Sequence, residues 1–205
     1  VLHKEAHALH AAGYKVMHLA PGDVDRDQTR DFLTPDGIWI RLYHRGGRFS
    51  RLWCLFSNAR AIRAACYHCN EVESWLVGLL LKLLRPSARV IFDVHEHYPS
   101  RFLEPHMPRS LRWVGPPLMR LLLKTLPWVT DYVILAKRSV AADFPVRFRR
   151  IGYIFNYGVM RIKVPERHEI PDAVKSHFTA PFTAVHIGPL SRARGWPQLV
   201  DALAL

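Results

Sequence analysis

The first part of the chain has apolar residues at helical spacing and then at strand spacing. The helical spacing predicts a first helix that ends near Gly13. Its apolar positions are Leu2, Ala6, Leu9 and Ala12. Residues 14–22 and 36–45 predict two short strands that are rich in apolar residues. The polar residues 23–36 between them predict a loop.

The middle of the chain continues this alternation. Helices are predicted over residues 49–65, 71–84, 111–126 and 137–143, and strands over residues 65–69, 88–94, 131–136 and 149–158. Gly115-Pro116-Pro117 is expected to break the start of the third of these helices. Strands that are apolar on both faces and alternate with helices predict a parallel sheet covered on both sides. The fold class is therefore α/β, with a Rossmann-like, doubly wound sheet.

The pattern also predicts a domain boundary. Residues 1–156 form the first domain, and the polar, proline-interrupted residues 157–180 form a linker. Residues 181–205 predict a strand and the start of a helix. Such a piece cannot form a core alone, so it is interpreted as the truncated start of a second Rossmann-like domain.

Charge and cysteine content narrow the possible partners and the compartment. The net charge of +12 predicts an anionic partner: nucleic acid, a membrane surface or a phosphorylated substrate. The chain has three cysteines, an odd and low number that argues against a disulfide framework. The low cysteine content favours a location in the reducing cytosol. The longest apolar run, residues 75–84, is about half as long as a membrane span. A soluble domain is expected, and contact with a membrane surface stays open.

Candidate chemistry concentrates where the strand over residues 88–94 ends. The polar residues there are Asp93, His95, Glu96, His97 and Tyr98. Histidine exchanges protons near neutral pH and hydrogen-bonds sugar hydroxyls, so this cluster predicts a substrate site. The alternative is a capped loop with ordinary surface polar groups. His68, at the end of the preceding strand, is expected at the same edge of the sheet.

Three further patterns are less specific. Cys66 and Cys69 form a C-x-x-C pair, but zinc or redox chemistry needs a context that is not evident here. Residues 188–195, with Gly188 and Arg194, suit a phosphate beside a helix start, and a solvated turn is the alternative. The segment over residues 109–124 mixes basic and apolar residues, as in a helix on an anionic membrane or an ordinary surface helix.

The order of these motifs resembles family 4 of the retaining glycosyltransferases, which have the GT-B architecture of two Rossmann-like domains. The likeness lies in KEAHALHAAGYKVMHLAPG (residues 4–22), ACYHCNEVESWLVGLLLKLL with ARVIFDVHEHYP (residues 65–84 and 88–99), DYVILAKRSVAADFP with IFNYG (residues 131–145 and 154–158), and FTAVHIGPLSRARGWPQLVDALAL (residues 182–205). These stretches span nearly the whole chain.

The resemblance implies transfer of a sugar from a nucleotide-sugar donor to an acceptor hydroxyl, with retention and without a required metal or other cofactor. It implies that His95 faces the transferred sugar as the catalytic residue. His68, Asp93, Glu96 and Tyr98 are expected to contact substrate. Gly188 and Arg194 are expected to bind the donor phosphates, where stabilising the leaving diphosphate is the main electrostatic task.

The chain also departs from the family. Pro189 stands where the family commonly has arginine, which puts one phosphate contact in doubt. The first strand of the N-terminal domain is missing, and the paired glutamates that hold the donor would lie beyond Leu205. This 205-residue piece alone is therefore expected to be inactive, although the family is one of hexosyltransferase-type enzymes.

Partners and location follow as expectations. The acceptor is expected to be a glycan or a lipid-linked molecule in cell-envelope polysaccharide or glycolipid synthesis. The location is expected to be the cytoplasm, with peripheral contact at the anionic inner face of the membrane left open. Nucleic acid is not expected as a partner. The alternatives are a basic, non-catalytic membrane-surface or nucleic-acid-binding module, and an epimerase or phosphorylase with a GT-B-like fold.

Overall fold

A computed structural model of the chain describes residues 2–103 and 107–155. All of these residues belong to one compact unit of mixed α/β structure. The predicted linker over residues 157–180 and the predicted domain start over residues 181–205 lie outside the described residues. The predicted first domain ends at residue 156, beside the last described residue.

The first sheet has three strands. It contains β1 (Met17–Gly22), β2 (Thr29–Leu33) and β3 (Trp39–His44). β3 lies in the centre, parallel to β1 and antiparallel to β2. The prediction of a loop over residues 23–36 is therefore wrong for β2. All five residues of β2 are exposed, so no alternation of apolar and polar residues marks it as a strand.

The second sheet has four parallel strands in the order β4-β5-β6-β7. They are β4 (Cys66–Cys69), β5 (Arg89–Val94), β6 (Tyr132–Leu135) and β7 (Ile151–Tyr153). The predicted parallel arrangement of these four segments is confirmed. The sheet interior is apolar on β5 and β6, where Val90, Phe92, Val133 and Leu135 are fully buried.

Within residues 2–103 and 107–155, five α-helices accompany the strands: α1 (Leu2–Ala11), α2 (Arg48–Ile62), α3 (Val72–Leu84), α4 (Tyr98–Arg101) and α5 (Arg109–Thr125). Two short 3-10 helices cover Leu126–Val129 and Arg138–Asp143. α3 begins where the sequence predicts, because Glu71 and Ser74 form a capping box at its start. None of the described helices is long and apolar enough to cross a membrane.

α5 differs from the prediction at its prolines. The helix runs without a break through Pro116 and Pro117. Gly115 and Pro116 are buried, and a Cβ at Gly115 would lie 2.1 Å from Cδ1 of Phe102. The glycine therefore lets α5 approach Phe102 closely, and this packing offsets the two backbone N–H groups that the prolines lack.

The core lies between α3, α5 and the four-stranded sheet. Trp75 of α3 stacks on Phe92 of β5 with ring centroids 4.1 Å apart, and Phe92 in turn stacks on Tyr98. These aromatic rings are almost fully buried. The packing anchors the carboxyl end of β5, where the candidate chemistry is located.

Candidate functional site

The side chains of Asp93 and His95 point to the same side of β5, because successive residues in a strand alternate between faces. Nε2 of His95 lies 2.8 Å from Oδ2 of Asp93. Phe92 and Val94, on the other side, enter the core. Asp93 and His95 therefore lie on one side of the chain, and Phe92 and Val94 hold the strand against the core on the other side.

β4 adds the second histidine. His68 pairs in register with Ile91, so it shares a face of the sheet with Asp93 two residues further along β5. Its Nε2 lies 3.3 Å from Oδ2 of Asp93, the same oxygen that His95 contacts. Asp93 is only 1% exposed, and it serves as a shared acceptor for two imidazole rings.

Glu5 of α1 completes the cluster, and the sequence analysis missed it. Its Oε2 lies 3.7 Å from Nε2 of His68. The ligand atoms of Glu5, Asp93 and His95 lie within 4.8 Å of one another. Glu5 is far from β4 and β5 along the chain, and an acidic residue in a first helical turn is ordinary. No local pattern could have assigned it to this site.

The cluster shifts the pKa values of its members. Burial favours protonated Asp93, but hydrogen bonds and charge from His68 and His95 outweigh it, so its pKa lies below the ordinary value. Burial favours neutral His68, yet its hydrogen bond to Asp93 and the charges of Asp93 and Glu5 raise its pKa. Burial and the adjacent Asp93 raise the pKa of Glu5. Asp93 is therefore the ionised acceptor of the group.

The other predicted residues of this edge lie outside the cluster. Glu96 is more than half exposed and pairs with Arg101 at 3.4 Å. Tyr98 is buried, and its hydroxyl donates to the carbonyl of Asn70 at 3.1 Å. His97 caps α4 by accepting from the backbone N–H of Ser100, and its other ring nitrogen lies 3.2 Å from Asp143. Substrate contact by Glu96 or Tyr98 stays a prediction.

The C-x-x-C pair does not form a joint site. Cys66 is exposed and Cys69 is buried, and neither is in a disulfide. Burial raises the pKa of the Cys66 thiol and raises that of Cys69 to about 12. In the metal-free chain both thiols are therefore weak nucleophiles near neutral pH. Gly188 and Arg194, the predicted phosphate contacts, lie outside the described residues.

A concave region lies at the end of β3, apart from the Asp93 cluster. This pocket of about 710 Å³ is lined by Tyr43, His44 and the exposed aromatic rings of Phe49 and Trp53, among others. Nδ1 of His44 donates a hydrogen bond to the carbonyl of Val24 at 2.8 Å. The sequence analysis assigned no role to these residues.

Comparison with known proteins adds no assignment to this geometry. The chain matches no protein-family model, no curated protein and no solved structure.

Proposed function

We propose that this chain belongs to a retaining glycosyltransferase and supplies the half of the enzyme that faces the acceptor. The observation that carries the proposal is the Asp93-anchored pair of His68 and His95 at the carboxyl end of a parallel strand. In open parallel α/β sheets, ligands bind beyond this end of the strands. A doubly wound, Rossmann-like sheet is part of the proposal, and it fits the four parallel strands and their helices.

The hydrogen bonds favour one form of His95. An ionised carboxylate only accepts hydrogen bonds, so Nε2 of His95 carries the hydrogen that it donates to Asp93. In the neutral ring Nδ1 is then the acceptor atom. Asp93 would hold the ring in place for contact with the transferred sugar. His68, bound to the same oxygen, would stiffen the arrangement.

The remaining parts of the proposal rest on the resemblance. The donor is a nucleotide sugar, and its diphosphate is bound at Gly188 and Arg194. The reaction is transfer of a hexosyl group without a required metal ion. A glycan or lipid-linked acceptor in cell-envelope polysaccharide or glycolipid synthesis fits the net charge of +12. The proposed location is the cytoplasm, at or near the inner face of the membrane.

The test is the replacement His95→Ala in the full-length protein that contains this chain. Release of nucleotide from UDP-, GDP- and ADP-sugars is measured with lipid-linked acceptors and glycan acceptors. We expect the variant to lose about 100-fold in turnover, because the contact with the transferred sugar would be absent. His97→Ala is the matched control, since His97 lies two residues away and outside the cluster. Equal rates in the wild type and His95→Ala would refute the role of His95.

A second candidate function is a membrane-surface module, and the exposed face of α5 favours it. The apolar side chains of Leu111, Val114, Leu118 and Leu121 are exposed and lie along one side of the helix. Arg109 and Arg120 are also exposed on α5. Apolar residues beside cations suit a surface of anionic lipid.

This candidate is tested by flotation with anionic and zwitterionic vesicles. We expect selective binding to the anionic vesicles, and Leu118→Ser with Leu121→Ser should reduce it. If the protein floats with neither type of vesicle, the membrane-surface function is wrong, whereas sugar transfer to a soluble acceptor is unaffected.

A further inference from the structure

Four side chains that can bind transition metals converge beyond the carboxyl end of β5. Glu5 and Asp93 offer carboxylate oxygens, and His68 and His95 offer Nε2. They come from α1, β4, β5 and the residue that follows β5. Ordered elements therefore hold these side chains in place before any ion binds.

The spacing of the donor atoms suits a small tetrahedral ion. Bonds from zinc to nitrogen and oxygen are about 2.0–2.1 Å long, which places neighbouring ligand atoms about 3.3 Å apart. Oδ2 of Asp93 lies 2.8 Å from Nε2 of His95 and 3.3 Å from Nε2 of His68. Nε2 of His68 lies 3.7 Å from Oε2 of Glu5. These three separations lie on both sides of the tetrahedral value. The ligand atoms of Glu5, Asp93 and His95 all lie within 4.8 Å of one another, and His68 lies beside this group in contact with Glu5 and Asp93.

The charges in the cluster also favour a cation. Glu5 and Asp93 bring two carboxylates close together at a poorly hydrated position, and their ion pairs are with histidines. Two like charges in such surroundings repel each other. An ion bound to both carboxylates would offset that repulsion. The imidazole of His95 beside the two carboxylates, with that of His68 next to them, suits zinc better than magnesium or calcium, which prefer oxygen ligands alone.

The site can be reached from solvent. The side chains of His68, Glu5 and His95 are 28%, 20% and 17% exposed, whereas Asp93 is buried beneath them. An ion could therefore enter past the three partly exposed side chains and meet Asp93 at the base.

We propose that Glu5, Asp93 and His95, with His68 beside them, form a binding site for a divalent transition-metal ion of the zinc type. The site goes beyond the proposed sugar transfer, which needs no metal ion. A bound ion would take Nε2 of His95 away from Asp93, so occupancy would compete with the arrangement that the transfer uses. Zinc would accordingly act on the enzyme as an inhibitor or as a regulator.

The experiment measures binding of Co²⁺ and Zn²⁺ to the chelator-treated, full-length protein, with no sugar donor present. We expect one equivalent of Co²⁺ to bind with the intense visible absorption of tetrahedral cobalt, and Zn²⁺ to displace it. Glu5→Gln and His95→Gln should each weaken binding more than about 10-fold, since each removes a ligand. His97→Gln should leave the affinity unchanged, because His97 lies outside the cluster.

Absence of stoichiometric binding, or equal affinity in the wild type and in Glu5→Gln, would overturn the proposal. Circular dichroism of each variant checks that the fold is intact. Because metal binding is measured without nucleotide sugar, its failure leaves the proposed transfer standing. Conversely, a protein that binds zinc but consumes no donor would support this site alone.

Discussion

One hydroxyl group provides the hydrogen-bond acceptor for the largest buried side chain of the described residues. Trp75 is fully buried, and its Nε1 donates to Oγ1 of Thr130 at 2.9 Å. The same hydroxyl donates to the carbonyl of Leu126 at 3.0 Å. Thr130 therefore allows an indole to fill the core without leaving its N–H group unsatisfied.

Thr130→Val is expected to lower the free energy of unfolding by about 1–3 kcal/mol, because it keeps the shape of the side chain but leaves Nε1 of Trp75 without an acceptor. Urea unfolding followed by tryptophan fluorescence measures the change. Thr130→Ser keeps the hydroxyl and is the matched control. Equal stability of the valine and serine variants would show that this hydrogen bond contributes nothing.

α5, the longest of the described helices, depends on a close contact between Gly115 and Phe102 that its own sequence does not indicate. α5 contains Gly115 and two prolines, residues that usually interrupt helices. The glycine lies against the ring of Phe102, where there is no room for a Cβ. Packing between α5 and the segment after α4 thus overrides the local preference for a break.

Gly115→Ala tests this account of α5, since alanine usually stabilises a helix interior by up to about 1 kcal/mol relative to glycine. Here we expect the opposite sign, with a loss of about 1–3 kcal/mol, because the new Cβ would overlap Phe102. Thermal or urea unfolding gives the change in the free energy of unfolding. In a Phe102→Ala background the same substitution should be neutral or stabilising, and a loss of equal size in both backgrounds would contradict the explanation.

Several parts of the molecule meet at one carboxylate. Asp131, just before β6, accepts hydrogen bonds from Lys82 of α3, from Arg89 of β5 at 2.9 Å, and from the backbone N–H of Val90 at 2.7 Å. Burial favours its protonated form, but these three donors lower its pKa to about 2. The stability of the whole unit should therefore depend on this group in acid.

The folded-state pKa of Asp131 lies below its ordinary value of 3.8, so its contribution is present above about pH 4. This contribution is lost as the pH falls towards 2. We expect Asp131→Asn to lower the free energy of unfolding at pH 6 and the gap from the wild type to narrow as the pH falls from 4 to 2. Urea unfolding at pH values from 6 to 2 measures this difference in the free energy of unfolding. Asp36→Asn, at a half-exposed carboxylate, serves as the control. A gap that stays constant with pH would refute the assignment.

Local patterns predicted most of the secondary structure, and the cases where they failed have a common cause. The buried strands β5 and β6 and the capped helix α3 were predicted because their apolar runs and start residues are local features. β2 was missed because its residues are exposed and its backbone bonds come from β3. The break in α5 was predicted wrongly because Phe102 lies outside that helix.

The candidate site also combines features that the sequence predicts with features that only the folded chain decides. The predicted strand ends place Asp93, His95 and His68 at one edge of the sheet, because parallel strands end at the same edge. That His68 shares the oxygen of Asp93 depends on the pairing of β4 with β5, and the presence of Glu5 depends on where α1 lies against them. Contacts between residues far apart in the chain follow from strand order and packing, which no local periodicity encodes. The sequence therefore predicts the shared edge of the sheet, and the folded chain assembles the four-residue cluster.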